Sequence, residues 1–175
     1  MTDSNAVQTF EIDLPVTVYT RPLNEPAADW TEFDQGPGRF EIPAADEINL
    51  RAKNIDDDDL YTLVKAVGGL TSLTALNLSE NRKITDLGLS RLAALPGLTR
   101  LNLSSCSISN QGLAHLTALK NLEHLDISYC NRITDEGLRF LKSLNRLAFL
   151  DIQRCVKTSH AGVKKIERRG LVIHR

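Results

Sequence analysis

Apolar and polar residues alternate in four short stretches: Leu76-Asn-Leu78, Leu101-Asn-Leu103, Leu125-Asp-Ile127 and Leu150-Asp-Ile152. A period of two is that of a strand with one buried face. Beyond each stretch the period lengthens. Leu89, Leu92 and Leu95 recur at intervals of three, as do Leu113, Leu116 and Leu119, and Leu138, Leu141 and Leu144. That spacing predicts one or two turns of α- or 3₁₀-helix. Thr85, Ser109, Thr134 and Ser159 stand just ahead of these runs, where a side-chain oxygen can accept from a free helix N–H. The unit is therefore strand, loop, short helix. It recurs after 25, 24 and 25 residues from Leu76, a period that predicts stacked units.

A degenerate earlier copy reads Ile48-Asn-Leu50-Arg-Ala-Lys53, 28 residues ahead of Leu76. On that alignment Asp56 is its helix cap, its loop is one residue short, and four extra residues around Leu60–Val67 predict a helix one turn longer. The loop of the unit at Leu101 is also one residue short, Cys106-Ser-Ile108 against Asn81-Arg-Lys-Ile84, which gives the interval of 24.

Several positions recur together at fixed offsets. Ile84-Thr-Asp-Leu-Gly-Leu89, Ile108-Ser-Asn-Gln-Gly-Leu113, Ile133-Thr-Asp-Glu-Gly-Leu138 and Thr158-Ser-His-Ala-Gly-Val163 each follow a strand in register. With the strands, they resemble the leucine-rich repeat, and within it the cysteine-containing subtype and its short bacterial relatives, over residues 48–175. The resemblance implies an α/β solenoid: a leucine-rich-repeat horseshoe with a parallel β-sheet on the concave side and short helices on the convex side. It also implies a binding scaffold. Eukaryotic relatives of this subtype often carry an F-box; residues 1–47 show no such helical segment, which speaks against a ubiquitin-ligase role.

Residues 1–47 differ in kind and hold five of the six prolines. Phe10, Ile12, Leu14, Val16 and Val18 alternate with polar residues and predict a strand, and Arg39-Phe-Glu-Ile42 a second. Arg21–Gly38 reads as turn-rich, with Trp30 and Phe33 as anchors. A solenoid's first unit exposes its apolar end, so this stretch is expected to form a β-hairpin-like cap on the strand around Ile48–Leu50. The expected organisation is a tail and cap over 1–47 and repeats over 48–175, in one domain. Val163 and Ile166 continue the helical positions, and Gly170–Arg175 reads as a shortened closing strand that completes the array.

The sequence holds 22 acidic and 21 basic residues, for a net charge of −1, but they are unevenly placed. Residues 1–60 carry 14 acidic and 4 basic side chains, net −10; residues 61–175 carry 8 and 17, net +9. Such a dipole can be ordinary solvated surface, or can steer a partner. It also allows self-assembly, acidic end to basic end. Nucleic-acid binding through Lys164, Lys165, Arg168, Arg169 and Arg175 is disfavoured, because no aromatic-rich motif accompanies them. No stretch of about 18 apolar residues predicts a membrane span. Met1–Ala6 lacks the features of a secretory signal, so a soluble cytoplasmic protein is expected.

Cys106, Cys130 and Cys155 occupy the repeat position that Asn81 holds. The resemblance implies an inward side chain bonded to loop backbone. Parallel stacking opposes a disulfide, and no zinc-ligand spacing is present. Asp56–Asp59 lacks the spacing of a calcium loop and suits a helix N-terminus. His115, His124, His160 and His174 fall in no catalytic motif, and no phosphate-binding loop or nucleophile elbow occurs. No enzyme activity, metal or cofactor is expected.

The concave face remains. Its central columns, Asn49, Asn77, Asn102, Asp126, Asp151 and Arg51, Ser79, Ser104, Ser128, Gln153, resemble the repeat's generic choices and are expected to serve the sheet. The flanking columns, Glu47, Ala75, Arg100, His124, Phe149 and Ala52, Glu80, Ser105, Tyr129, Arg154, are more individual. Arg and aromatic residues anchor interfaces. Arg100, His124, Tyr129, an exposed Phe149 and Arg154 are therefore the expected contacts for another protein.

Overall fold

A computed structural model describes residues 6–175. One sheet of eight strands runs through it in the order β2-β1-β3-β4-β5-β6-β7-β8. β1 (Val7–Pro22) and β2 (Thr31–Pro43) form an antiparallel hairpin, and β1 also pairs antiparallel with β3 (Asp46–Ala52). From β3 onward every pairing is parallel: β4 (Leu73–Asn77), β5 (Arg100–Asn102), β6 (His124–Asp126), β7 (Phe149–Asp151) and β8 (Val172–His174). Each crossover carries a helix: α1 (Asp57–Val67), α2 (Asp86–Leu89), α3 (Asn110–His115), α4 (Asp135–Leu138) and α5 (His160–Lys164). The middle three continue as 3₁₀ turns at Ser90–Ala94, Leu116–Ala118 and Arg139–Ser143.

The core is a set of buried columns between sheet and helices. Leu76, Leu101, Leu125 and Leu150 form one, Leu78, Leu103, Ile127 and Ile152 a second, and Leu89, Leu113, Leu138 and Val163 a third. The cap extends the same core: Phe10 and Phe40 stack with ring centroids 4.8 Å apart, beside buried Val16, Val18 and Ile42. This covers the apolar side of β3, as a solenoid's first unit requires.

Two expectations about the first copy are corrected. Leu50, not Ile48, pairs with Leu76, and Arg51 with Asn77. Ala52 then takes the place of Leu78, Asn54 that of Glu80 and Ile55 that of Asn81. The loop is three residues shorter than that of the next unit, not one. The apolar pair Ile48/Leu50 imitates the repeat's strand, while the true copy carries Ala52, fully buried, where the others carry Leu or Ile. The longer helix is present: α1 has 11 residues, opened by an Asp56–Asp59 capping box.

The cap is also more extended than its turn residues predict. β2 starts at Thr31, so the turn occupies 23–30 and Phe33 lies exposed on a strand. Pro15 and Pro37 fit because the ladder is interrupted there. Ile12 pairs with Gly38 and Val16 with Gly36, which places both prolines in a bulge that needs no N–H. Trp30 does anchor, by packing its ring 4.4 Å from the Arg21 guanidinium. Arg21 is buried and donates through Nε and Nη2 to Glu47, at 2.9 and 2.6 Å, and through Nη1 to the Pro26 carbonyl.

The recurring Thr-Asp-x-Gly stretch joins each unit to the next. Thr85 donates its N–H and hydroxyl to the Asp57 carboxylate at 2.8 and 2.6 Å. Ser109 does the same to Asp86, and Ser159 to Asp135. Asn110 replaces the carboxylate once: its Oδ1 accepts from the Thr134 N–H and its Nδ2 donates to the Thr134 hydroxyl. Each cap hydroxyl also accepts an N–H of its own helix. Gly88, Gly112, Gly137 and Gly162 lie against these Asp and Asn side chains, where a Cβ would collide with a carboxylate or amide oxygen.

Candidate interaction face

The central column of the concave sheet is spent on its own backbone. Asn77, Asn102, Asp126 and Asp151 each accept, through Oδ1, the N–H two residues on, at 2.8–3.0 Å. In the next column the Ser128 hydroxyl donates to Ser104 at 2.8 Å. These positions serve the sheet, as expected.

The inward position is likewise structural. Asn81 is buried, accepts from the Ile55 N–H, and donates to the Ala52 and Leu78 carbonyls. The Cys106, Cys130 and Cys155 thiols donate to the Leu78, Leu103 and Ile127 carbonyls, with sulfur–oxygen distances of 3.1–3.2 Å. All three are free. Burial pushes the Cys106 and Cys130 thiols up to about 12 and Cys155 up to about 11, which makes them poor nucleophiles. Among the described residues no three His, Cys, Asp or Glu side chains gather as a metal site needs.

The five expected contact residues fall into two rows. Arg100, His124 and Phe149 are successive partners across β5, β6 and β7, following Ala75 on β4 and Asn49 on β3. Glu47, assigned to this row from the sequence, instead pairs with Arg21; the corrected register puts Asn49 there. Arg51 likewise moves to the Asn77 column and Ala52 into the core.

Phe149 is half-buried, not exposed. Its ring packs between His124, 5.8 Å away, and His174, 4.8 Å away and edge-on. His174 is the residue that sequence reasoning missed. Its signal was the apolar-then-polar pair Ile173-His174, which repeats Leu150-Asp151 and pairs with it in the structure. His174 Nδ1 lies 3.9 Å from an Asp151 carboxylate oxygen. His124 is held below the ordinary imidazole value, first by desolvation and then by the Arg100 charge, against an opposing pull from Glu123. The row Ala75, Arg100, His124 and Phe149 floors a shallow open depression of about 220 Å³.

Tyr129 and Arg154 belong to the second row, on the loops that leave β6 and β7. With Asn54, Glu80 and Ser105 they share a left-handed backbone, φ 58–68°. The turn is fixed by bonds between units: the Glu80, Ser105 and Tyr129 N–H groups donate to the Ser104, Ser128 and Gln153 carbonyls at 2.8–2.9 Å. Both side chains are exposed, Tyr129 by 53%.

The sequence model described as "Leucine Rich repeats (2 copies)" matches residues 96–139, and that described as "Leucine Rich repeat" matches residues 69–93. Residues 69–93 and 96–139 are thus leucine-rich repeats. In fold it is similar to a chain in the crystal structure of the yeast Rad7–Elc1 complex, with TM-score 0.57 and 21% identity over 68% of this chain and 30% of that one. An internalin C2 from Listeria monocytogenes matches with TM-score 0.46 and 30% identity over 63% of this chain and 44% of that one. The chain thus spans less than half the length of either. No curated protein matches it. No helix among the described residues is long and apolar enough to cross a membrane.

Proposed function

We propose that the protein is a non-catalytic scaffold that binds another protein on its concave face, through Arg100, His124 and Phe149 on the sheet and Tyr129 and Arg154 on the loop rim. One observation carries this reading. Cationic and aromatic side chains line up at strand spacing in the rows that the fold does not use for itself. The rows between and behind them are committed to backbone bonds. Arg and aromatic anchors with few rotatable bonds suit a rigid interface. A continuous parallel sheet offers such a surface with little rearrangement.

The test is affinity capture from the source organism's lysate, read by mass spectrometry. Wild type is compared with Arg100→Ala/Phe149→Ala and with Tyr129→Ala/Arg154→Ala, each checked for an unchanged circular dichroism spectrum. A protein retained by wild type and lost by either folded variant supports the reading. Equal retention by all three overturns it.

A further inference from the structure

We propose that copies of this chain associate head to tail, with β2 of one copy pairing in parallel with the free edge of β8 of the next. This goes beyond the concave-face reading and uses a different surface. Both strands end the sheet order, so among the described residues each has one unpaired edge. On β8 the Val172 N–H and the His174 carbonyl bond across to the β7 side. By strand alternation the N–H and carbonyl of the intervening Ile173 then face outward.

Direction also fits. β2 is antiparallel to β1, and β1 to β3, while β3 to β8 are mutually parallel. β2 therefore runs the same way as β8. A second copy shifted along the stack without reversal sets β2 beside β8 in the relation that each repeat already has to its neighbour.

Charge selects this pairing over the others. Among the described residues the ion pairs are Arg21–Glu47, Arg39–Glu41 and His174–Asp151, so no Lys or Arg beyond residue 39 has a carboxylate partner. These cations include exposed Lys164 and Arg169 beside the β8 end, with exposed Lys165 also there but acting on the Asp135 carboxylate. The cap end presents exposed Glu25, Asp29, Glu32 and Asp34 on β2 and the turn before it. Two β2 edges repel each other and two β8 ends do the same, whereas β2 against β8 joins opposite charges. The contact is heterologous, so it propagates or closes as a ring.

Sedimentation equilibrium tests this on the full chain, at about 0.01 M salt, where charges act over about 30 Å, and at about 1 M, where they act over about 3 Å. The expected result at low salt is a weight-average mass that at least doubles from the 19.4 kDa monomer as concentration rises, and returns to it at high salt. Glu32→Lys/Asp34→Lys and Lys164→Glu/Arg169→Glu should each be monomeric alone. Their equimolar mixture should associate again at low salt, since each end of one variant then meets an end of opposite charge on the other. A wild type that stays monomeric at low salt overturns the proposal. So does association that survives high salt, or either variant alone associating as wild type does.

Discussion

Gly112→Ala puts the inter-unit ladder to a quantitative test. Gly112 lies inside α3, where alanine is normally favoured over glycine by about 1 kcal/mol. The structure predicts the opposite sign. A Cβ at this position would land on the Asp86 carboxylate and come within 3.1 Å of Leu89 Cδ2. Overpacking of this kind costs about 1–3 kcal/mol. Asp86 cannot give way freely, because it accepts both the N–H and the hydroxyl of Ser109. Bonds to a charged acceptor are worth about 1.5–3 kcal/mol, so partly losing them adds to the cost. The steric and hydrogen-bond losses outweigh propensity and leave a net destabilisation of about 1–3 kcal/mol. For a chain of this size that lowers the melting temperature by about 2–12 °C, measurable by calorimetry or urea unfolding. Gly69→Ala is the control: no atom lies within 4 Å of its Cβ, and the expected change is within about 0.5 kcal/mol. In an Asp86→Ala background the obstruction is gone, and Gly112→Ala should become neutral or stabilising. A Gly112→Ala protein as stable as wild type, or one that loses the same amount with and without Asp86, would refute the reasoning.

Three further outcomes are expected. In the native protein Cys106, Cys130 and Cys155, with thiols at about 12, 12 and 11, should not react with a thiol reagent near pH 8, and all three should react in denaturant; fast native labelling would contradict the buried column. Asn81→Leu strands the Ile55 N–H and takes the amide donor from the Ala52 carbonyl, while the Leu78 carbonyl keeps the Cys106 thiol, and should cost about 2–4 kcal/mol in urea unfolding; Asn81→Cys, which copies the other units, should cost about 1 kcal/mol, and equal costs would show that volume alone matters there. Asp135 is held below its ordinary value of 3.8, first by the Ser159 hydroxyl and then by the Ser159 N–H. Because the folded value is the lower one, its stabilising contribution is complete above 3.8 and is lost as pH falls through the folded value. Carboxyl NMR titration should show Asp135 moving back toward 3.8 in Ser159→Ala, and an unmoved titration would exclude the hydroxyl as the cause.

The solenoid was legible because a column of identical environments demands similar residues at fixed intervals. Leu76, Leu101, Leu125 and Leu150 meet one another in the sheet, and Thr85, Ser109, Thr134 and Ser159 face the same job at each helix start. Where a unit meets something other than another unit, that redundancy ends. β3 is bordered on one side by antiparallel β1, so its buried residues answer to the cap as well as to the stack. Ile48-Asn-Leu50 could then imitate the repeat while Leu50-Arg-Ala52 performed it. The better signals were Asn54, a residue type that tolerates a left-handed backbone, and the Ile55-Asp56 step into the helix cap. The length of β2 was hidden for a related reason. Gly36, Pro37 and Gly38 usually mark a turn, and only pairing with β1 shows that they form a bulged edge strand. Phe149 looked stranded on a solvent face because its cover, His174, comes from a strand three residues long at the end of the sheet.

The left-handed row gives the candidate face a physical basis that side-chain identity alone does not. A residue with a Cβ costs about 1–2 kcal/mol in this conformation, and glycine almost nothing. Were the row needed only to turn the chain after each strand, glycine or asparagine would serve at every position, as Asn54 does at the first. Instead Glu80, Ser105, Tyr129 and Arg154 hold φ of 60–68°, and the bulky Tyr129 ring stands largely in solvent. At Glu80, Ser105 and Tyr129 the backbone tolerates this because the turn is tied to the following unit by its own N–H, so the strain is met by the stack. Nothing in the turn itself calls for a phenol or a guanidinium. Tyr129→Gly should therefore leave stability unchanged or raise it while weakening capture of a partner, whereas a purely structural tyrosine would lose stability and binding together.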